Sequence, residues 1–196
     1  MSTPPRNDHP DAERAHLAEL GEVLEGAERG PGHFAGVCTV VCKLFAIVAP
    51  DVAFFGQKDA QQVVVIRRMV RDLDVPVRLE IVSTVRERDG LALSSRNARL
   101  AGSDRERATA LRRGLEAAQA IISAGEQDPA PAEAAGRAAM RAAGVEPEYF
   151  AVVDPDTLAR VERIDDRVLV VVAARVGPAR LIDNVLIDTE QVATRV

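Results

Sequence analysis

Phe54-Phe55-Gly56-Gln57-Lys58-Asp59-Ala60-Gln61-Gln62 is the stretch on which the fold turns. It closes a short apolar run, Asp51–Phe55, of strand length, and opens a helical pattern near Ala60. Strand, glycine turn and helix in that order expose polar side chains at the carboxyl end of a parallel sheet, where α/β proteins bind ligands. Gly56 lets the backbone come close to a ligand. Lys58 sets a cation at a helix N-terminus, whose free N–H groups and dipole already favour an anion. Gln62 offers both a donor and an acceptor, suited to hydroxyls and carboxylates. Taken alone, the loop reads equally well as a solvated connection in which Lys58 and Asp59 only keep the surface wet.

A second loop shifts that balance. Val77, Leu79 and Ile81 alternate and predict a strand over Pro76–Val82. Between the two strands, Ile66, Met69, Val70 and Leu73 mark the buried face of a helix over Ala60–Leu73, with Arg67, Arg68 and Arg71 in solvent. A strand–helix–strand unit of this length is parallel and right-handed. The loops after both strands therefore leave the same edge of the sheet and meet over one pocket. Lys58, Arg86, Ser94, Ser95 and Arg96 are expected there: three cations and two hydroxyls, a set suited to a polyphosphate.

On the N-terminal side, Leu17, Leu20 and Leu24 predict a helix over Asp11–Leu24, followed by a glycine-rich loop at 26–32. Val37, Val40, Val41, Leu44, Phe45 and Val48 then recur at helical spacing up to Pro50. His33 precedes that helix, and His9 and His16 read as surface residues. On the C-terminal side, Ser103 and Glu106 have the spacing of a capping box. Leu111, Leu115, Ala118 and Ile122 predict a long helix ending near Gly125. Asp128–Pro131 reads as a loop, followed by an alanine-rich helix that stops at Gly144. Glu148–Val153, Arg167–Val176 and Arg180–Asp188 read as strands, the last two a hairpin across Gly177-Pro178. A boundary near Asn97–Ser103 divides the chain into an N-terminal segment 1–30, an α/β part 31–98 and a small α+β domain 99–196.

Composition bounds the function. The 196 residues are 47% hydrophobic and 28% charged, enough for a core and a wet surface. A net charge of −5, 3% aromatics and no basic stripe argue against nucleic acid as a partner. No apolar run reaches membrane-spanning length, and the first residues lack a signal-peptide core, so a cytoplasmic protein is expected. Cys38 and Cys42 lie one helical turn apart and read as a buried reduced pair; no metal-ligand spacing is present.

These motifs together resemble the pantoate–β-alanine ligases, or pantothenate synthetases. The resemblance rests on FFGQKDAQQ and TVRERDGLALSSRN. It extends to Leu24-Glu25-Gly26, to Pro31-Gly32-His33-Phe34-Ala35-Gly36-Val37 and to Ala179-Arg180-Leu181-Ile182-Asp183-Asn184. It implies a Rossmann-like, nucleotidylyl transferase-type parallel sheet, here partial, with a second, small α+β C-terminal domain acting as a lid. The implied substrates are pantoate, β-alanine and ATP with Mg2+, and the implied assembly is a homodimer. By resemblance, Gly56, Gln57, Lys58 and Asp59 contact ATP, Val85 meets the adenine through its backbone, and Leu93, Ser94, Ser95 and Arg96 close on the phosphates. Lys58, Ser94, Ser95 and Arg96 would then be the catalytic set, with Gln62 holding pantoate.

The sequence also departs from that pattern. The family's His-x-Gly-His motif, which binds ATP phosphates, is not among these residues, whose three histidines are His9, His16 and His33. A substrate glutamine from the same part of the family sequence has no counterpart either. Ala60 stands where an aromatic is usual, and Gly30 reads as an extra residue. The expectation is a chain impaired on its own, with an uncovered sheet edge or apolar face. The alternatives are an inactive nucleotide-binding paralogue, or a piece that pairs with another chain.

Overall fold

The computed structural model describes residues 20, 23–30 and 32–189. In chain order these form α1 (Glu25–Arg29), α2 (His33–Val48), β1 (Val52–Gly56), a 3-10 turn (Gln57–Asp59), α3 (Ala60–Asp72) and β2 (Arg78–Val82). A second 3-10 turn (Ser95–Arg99) leads to α4 (Ser103–Ala108), α5 (Ala110–Ser123), α6 (Pro129–Ala142), β3 (Pro147–Val153), β4 (Arg167–Val176) and β5 (Ala179–Asp188). By contacts the chain falls into two compact units. The first holds residues up to Phe55 together with Gln61–Glu80; the second holds Gly56–Ala60 together with everything from Ile81 onward. This line differs from the boundary near Asn97–Ser103, because both ligand-type loops fall in the second unit.

In the first unit β1 and β2 pair side by side and parallel, with α3 as the crossover between them. This is the arrangement the two apolar runs and the intervening helix require. Val63, Val64, Val65, Ile66 and Met69 of α3 are buried, whereas Leu73, expected on that face, is exposed beyond the helix end. Gln61 is buried and ties down the turn before α1: its Oε1 accepts from Glu25 N–H (2.9 Å), and its Nε2 donates to the carbonyls of Leu20 and Val23 (2.7 Å each). The helix expected over Asp11–Leu24 lies mostly outside the described residues; Leu24 itself has φ 49° and is not helical. α2 forms over the expected residues, but it buries only Phe34. Val40 is 59% exposed, Leu44 52% and Ile47 70%.

The second unit is built on a three-stranded antiparallel sheet in the order β3-β4-β5. Val168, Val170, Val172, Ala174 and Val176 alternate along β4 and join the core cluster with Leu111, Leu115, Met140 and Phe150 from α5, α6 and β3. Gly136 on α6 is a point of close approach: a Cβ there would lie 2.1 Å from the Phe150 ring. The β4–β5 hairpin turns at Gly177-Pro178, where Gly177 has the positive φ (53°) that the first central position of a type II′ turn needs.

Three local expectations are corrected. Ser103 is the first helical residue rather than the cap. Gly102 caps α4 at φ 52°, and no side-chain capping bond forms, so the capping box is absent. The long helix expected after Ser103 is two segments, α4 and α5, broken at Thr109. Asp128–Pro131 is not a loop. Asp128 caps α6 by accepting from Ala130 N–H (2.9 Å), and Pro129 takes the first helical position, where its missing N–H is not needed.

Candidate functional site

The site is assembled within the second unit from two loops and one strand. The first loop, Gly56–Ala60, carries Lys58 on a 3-10 turn. The second follows β2, from Ser83 to Arg99, and is closed on itself: Glu87 N–H donates to Leu91 O (2.8 Å) and Leu93 N–H to Val85 O (2.9 Å). Ser94 caps the 3-10 turn that carries Arg96, its Oγ accepting from Arg96 N–H (3.3 Å). The strand is β5. Lys58, Ser94 and Arg96 line one small cleft together with Asn97, Arg180 and Asp183. The enclosed space is about 10 Å³, that of a single water. A triphosphate would therefore have to displace the flexible ends of Lys58 and the arginines outward.

Several side chains hold the second loop in place. The Glu87 carboxylate accepts from Arg105 Nη2 (2.9 Å) and from Asn97 Nδ2 (2.6 Å). The Arg105 guanidinium, and then Asn97, hold its carboxyl below the usual glutamate range. Burial alone would raise the neighbouring Asp89. The Leu91 N–H and Arg105 outweigh that and hold it below its usual range. Asn97 Nδ2 also donates to Ala92 O (2.9 Å). Both of its partners are acceptors, which fixes the amide orientation, and among the described residues the buried Asn97 Oδ1 has no hydrogen-bond partner.

Lys58, Ser94 and Arg96 converge as the strand–helix–strand reading requires. Gly56, Gln57 and Asp59 share the Lys58 turn, with Asp59 3.9 Å from Lys58 Nζ. Ser95 is exposed and does not line the cleft. Val85 and Leu93 are exposed at the loop's paired stem. Gln62 lies half-buried on α3 in the other unit. Arg86 is a correction. Its Nη1 and Nη2 grip the Asp183 carboxylate (2.7 and 3.1 Å), and Nη1 also donates to Gly90 O (3.1 Å), so its charge is spent inside the protein rather than offered to a phosphate. His33 opens α2 with its ring edge-on to Phe34, and its basicity is lowered by burial and by Arg29. Cys38 and Cys42 are free thiols, and burial, with Cys42 beside it, raises the Cys38 thiol.

Sequence reasoning missed the contributions of Asn97, Arg180, Asp183 and Asn184. The last two left a signal: a polar pair inside the apolar run Leu181-Ile182-Asp183-Asn184-Val185-Leu186 must find partners if it is buried.

A family model described as pantoate-beta-alanine ligase matches residues 5–186. The chain belongs to this family. The match begins well ahead of Leu24, where the motif resemblance starts. The pantothenate synthetase of Thioalkalivibrio sulfidiphilus is 49% identical over 175 residues, covering 89% of this chain and 61% of that protein. The crystal structure of pantothenate synthetase from Thermus thermophilus superposes with a TM-score of 0.81 at 47% identity, covering 85% of this chain and 60% of that one. The pantoate-beta-alanine ligase of Francisella tularensis, solved with an ATP form and β-alanine, gives a TM-score of 0.61 at 32% identity, covering 86% and 55%. The chain therefore spans about 60% of the length of these pantoate–β-alanine ligase relatives. An α/β fold with a parallel pair of strands and a separate antiparallel sheet agrees with that membership.

Proposed function

We propose that this chain takes part in the ATP-dependent condensation of pantoate with β-alanine and supplies the phosphate-side residues. The observation that carries the reading is the convergence of Lys58, Ser94 and Arg96, from two separate loops, on one cleft. In this reaction the pantoate carboxylate attacks the α-phosphorus of ATP and diphosphate leaves. The β-alanine amine then attacks the acyl carbon of the pantoyl-adenylate and AMP leaves. Charge builds on the phosphate oxygens in the first step, and fixed cations stabilise it. Lys58 and Arg96 supply that charge, with Gly56, Gln57 and Asp59 shaping the turn around Lys58. Ser94 donates its hydroxyl within the cleft and Ser95 from the exposed position beside it, Leu93 closes the apolar side, and Val85 offers its backbone to the adenine. Gln62 holds pantoate.

Mg2+ belongs to the reading only as a companion of the nucleotide. Among the described residues no group of three His, Cys, Asp or Glu side chains could hold a metal ion, and the Asp183 carboxylate is taken by Arg86. We place the reaction in the cytoplasm; among the described residues no helix is long and apolar enough to cross a membrane. The bare apolar face of α2 supports a second reading, in which the chain works only against another chain, either a second copy or a complementing one.

These 196 residues hold no His-x-Gly-His motif. Losing one set of preorganised phosphate donors costs about 100- to 1000-fold in rate. Alone, the chain is expected to release AMP from ATP, pantoate and β-alanine far more slowly than its relatives, and turnover at their level would contradict this. ATP titration tests the binding half. Lys58→Ala is expected to weaken binding by about ten- to a hundredfold, the worth of a charge-assisted contact, and His33→Ala to leave it unchanged. A folded chain that ignores ATP, or equal losses in both variants, removes the reading.

A further inference from the structure

We propose that the Asp183-Asn184 pair of β5 is the positioning element for both ligand loops, with Asn184 setting the Lys58 turn and Asp183 setting the loop that carries Arg96. The proposal rests on the nucleotide reading above for its purpose, though not for its geometry. Asn184 is buried, and its side-chain amide is fully used: Nδ2 donates to the carbonyls of Gln57 (3.0 Å) and Lys58 (2.9 Å), and Oδ1 accepts from Gln57 Nε2 (3.2 Å). Two of these hydrogen bonds fix the backbone on which Lys58 stands, and the third holds the Gln57 side chain beside it. Asp183, one residue earlier and also buried, takes both Arg86 nitrogens, and Arg86 closes its own loop through Gly90 O. The two residues are coupled as well, since Asn184 N–H donates to Asp183 Oδ1 (2.8 Å).

The strand that carries them is anchored. Asp183 and Asn184 face Val172 and Val171 in the middle of the ten-residue β4–β5 ladder, with paired residues before and after them along the strand. This explains why Gly56–Ala60 belongs by contacts to the second unit, although the chain on both sides of it belongs to the first. A turn held this way presents Lys58 at a fixed point relative to Arg96, because both loops hang from adjacent residues of one strand. Preorganised charge of this kind acts without reorganisation when phosphate charge develops. Neither residue needs to touch the ligand through these bonds; both act through the loops.

Asn184→Asp tests the proposal with almost no change of size. It removes two donors and sets a carboxylate against two carbonyl oxygens. Hydrogen exchange of the whole chain reads the clamp directly: exchange is expected to rise in the segment spanning Gly56–Ala60 while the β4–β5 core stays protected. ATP affinity, read by titration, is expected to fall about tenfold, as for two lost hydrogen bonds. In a Lys58→Ala background the same change should add less than about a twofold loss, because Asn184 acts through Lys58. A purely structural role would lower affinity by the same factor in both backgrounds, and that result overturns the proposal. Unchanged exchange at Gly56–Ala60 also overturns it. If the wild-type chain does not bind ATP, the nucleotide reading fails, and the exchange measurement still decides the clamp. Asn184→Ser, which loses the same donors without adding charge, takes the place of the aspartate variant if that one does not fold.

Discussion

α2 and α5 are two helices of similar length, 16 and 14 residues, each with apolar side chains at helical spacing. On α5, Leu111, Leu115, Ala118 and Ile122 are all buried against the sheet and α6. On α2, Val40, Leu44, Ile47 and Val48 are exposed, and only Phe34 is buried. The two patterns are equally legible in sequence and have opposite fates. Periodicity states that a helix has an apolar face; it does not state what covers it. On α2, Val37, Val41 and Phe45 are half-covered and Cys42 meets Met69 of α3, while Val40, Leu44, Ile47 and Val48 face solvent; the chain spans about 60% of the length of its relatives.

The contrast breaks most readily at Phe150. Truncating it to alanine empties a filled space against Gly136 and should cost about 3–5 kcal/mol in urea unfolding of the second unit. A cost near zero would mean that this core is as loose as the face of α2. Arg86→Leu should come next. It leaves the buried Asp183 carboxylate without its guanidinium, a loss of about 3 kcal/mol by the same measurement. The effect should fall on the loop from Val85 to Asn97, seen as faster hydrogen exchange there.

Much of this was readable beforehand. The apolar runs Asp51–Phe55 and Pro76–Val82, with a helix of crossover length between them, fix the parallel pairing and so bring Lys58 toward Arg96. The Gly177-Pro178 turn fixes the hairpin. What was not readable depended on partners far along the chain. Arg86 reads as a phosphate cation until Asp183, 97 residues away, takes its charge. Asn184 gives no sign that it will hold the Lys58 turn. Asp128-Pro129 carries a legible cap-and-N1 signature, although Asp128–Pro131 reads as a loop. Ser103 and Glu106 had the right spacing, yet Gly102 at positive φ took the cap.

A smaller effect is expected from pH. Glu87 is held below its ordinary range by Arg105 and Asn97. A folded-state value below the unfolded one contributes stability above the unfolded value and loses it as pH falls through the folded value. The loop from Val85 to Asn97 should therefore loosen on acidification below the ordinary glutamate range. Glu87→Gln should remove the Glu87 share of that acid sensitivity and leave the share of Asp89, which Leu91 N–H and Arg105 also hold low, as read by exchange against pH; an unchanged acid profile would exclude Glu87 as a source. The smallest effect is expected at Ile47. Replacement by serine should change stability by no more than about 0.5 kcal/mol, as for an exposed site, and should reduce binding of a hydrophobic dye. A loss as large as that of Phe150→Ala would mean that the face of α2 is covered after all.

On the proposed reading, phosphates are met by the loops of the second unit and not by His33 at the start of α2. Amide chemical-shift mapping of the folded chain titrated with ATP tests it most directly. Shifts are expected to cluster at Gly56–Asp59 and Leu93–Asn97, with His33 and its neighbours still. Shifts confined to His33 and the rest of α2, with Lys58 and Arg96 unmoved, would contradict it.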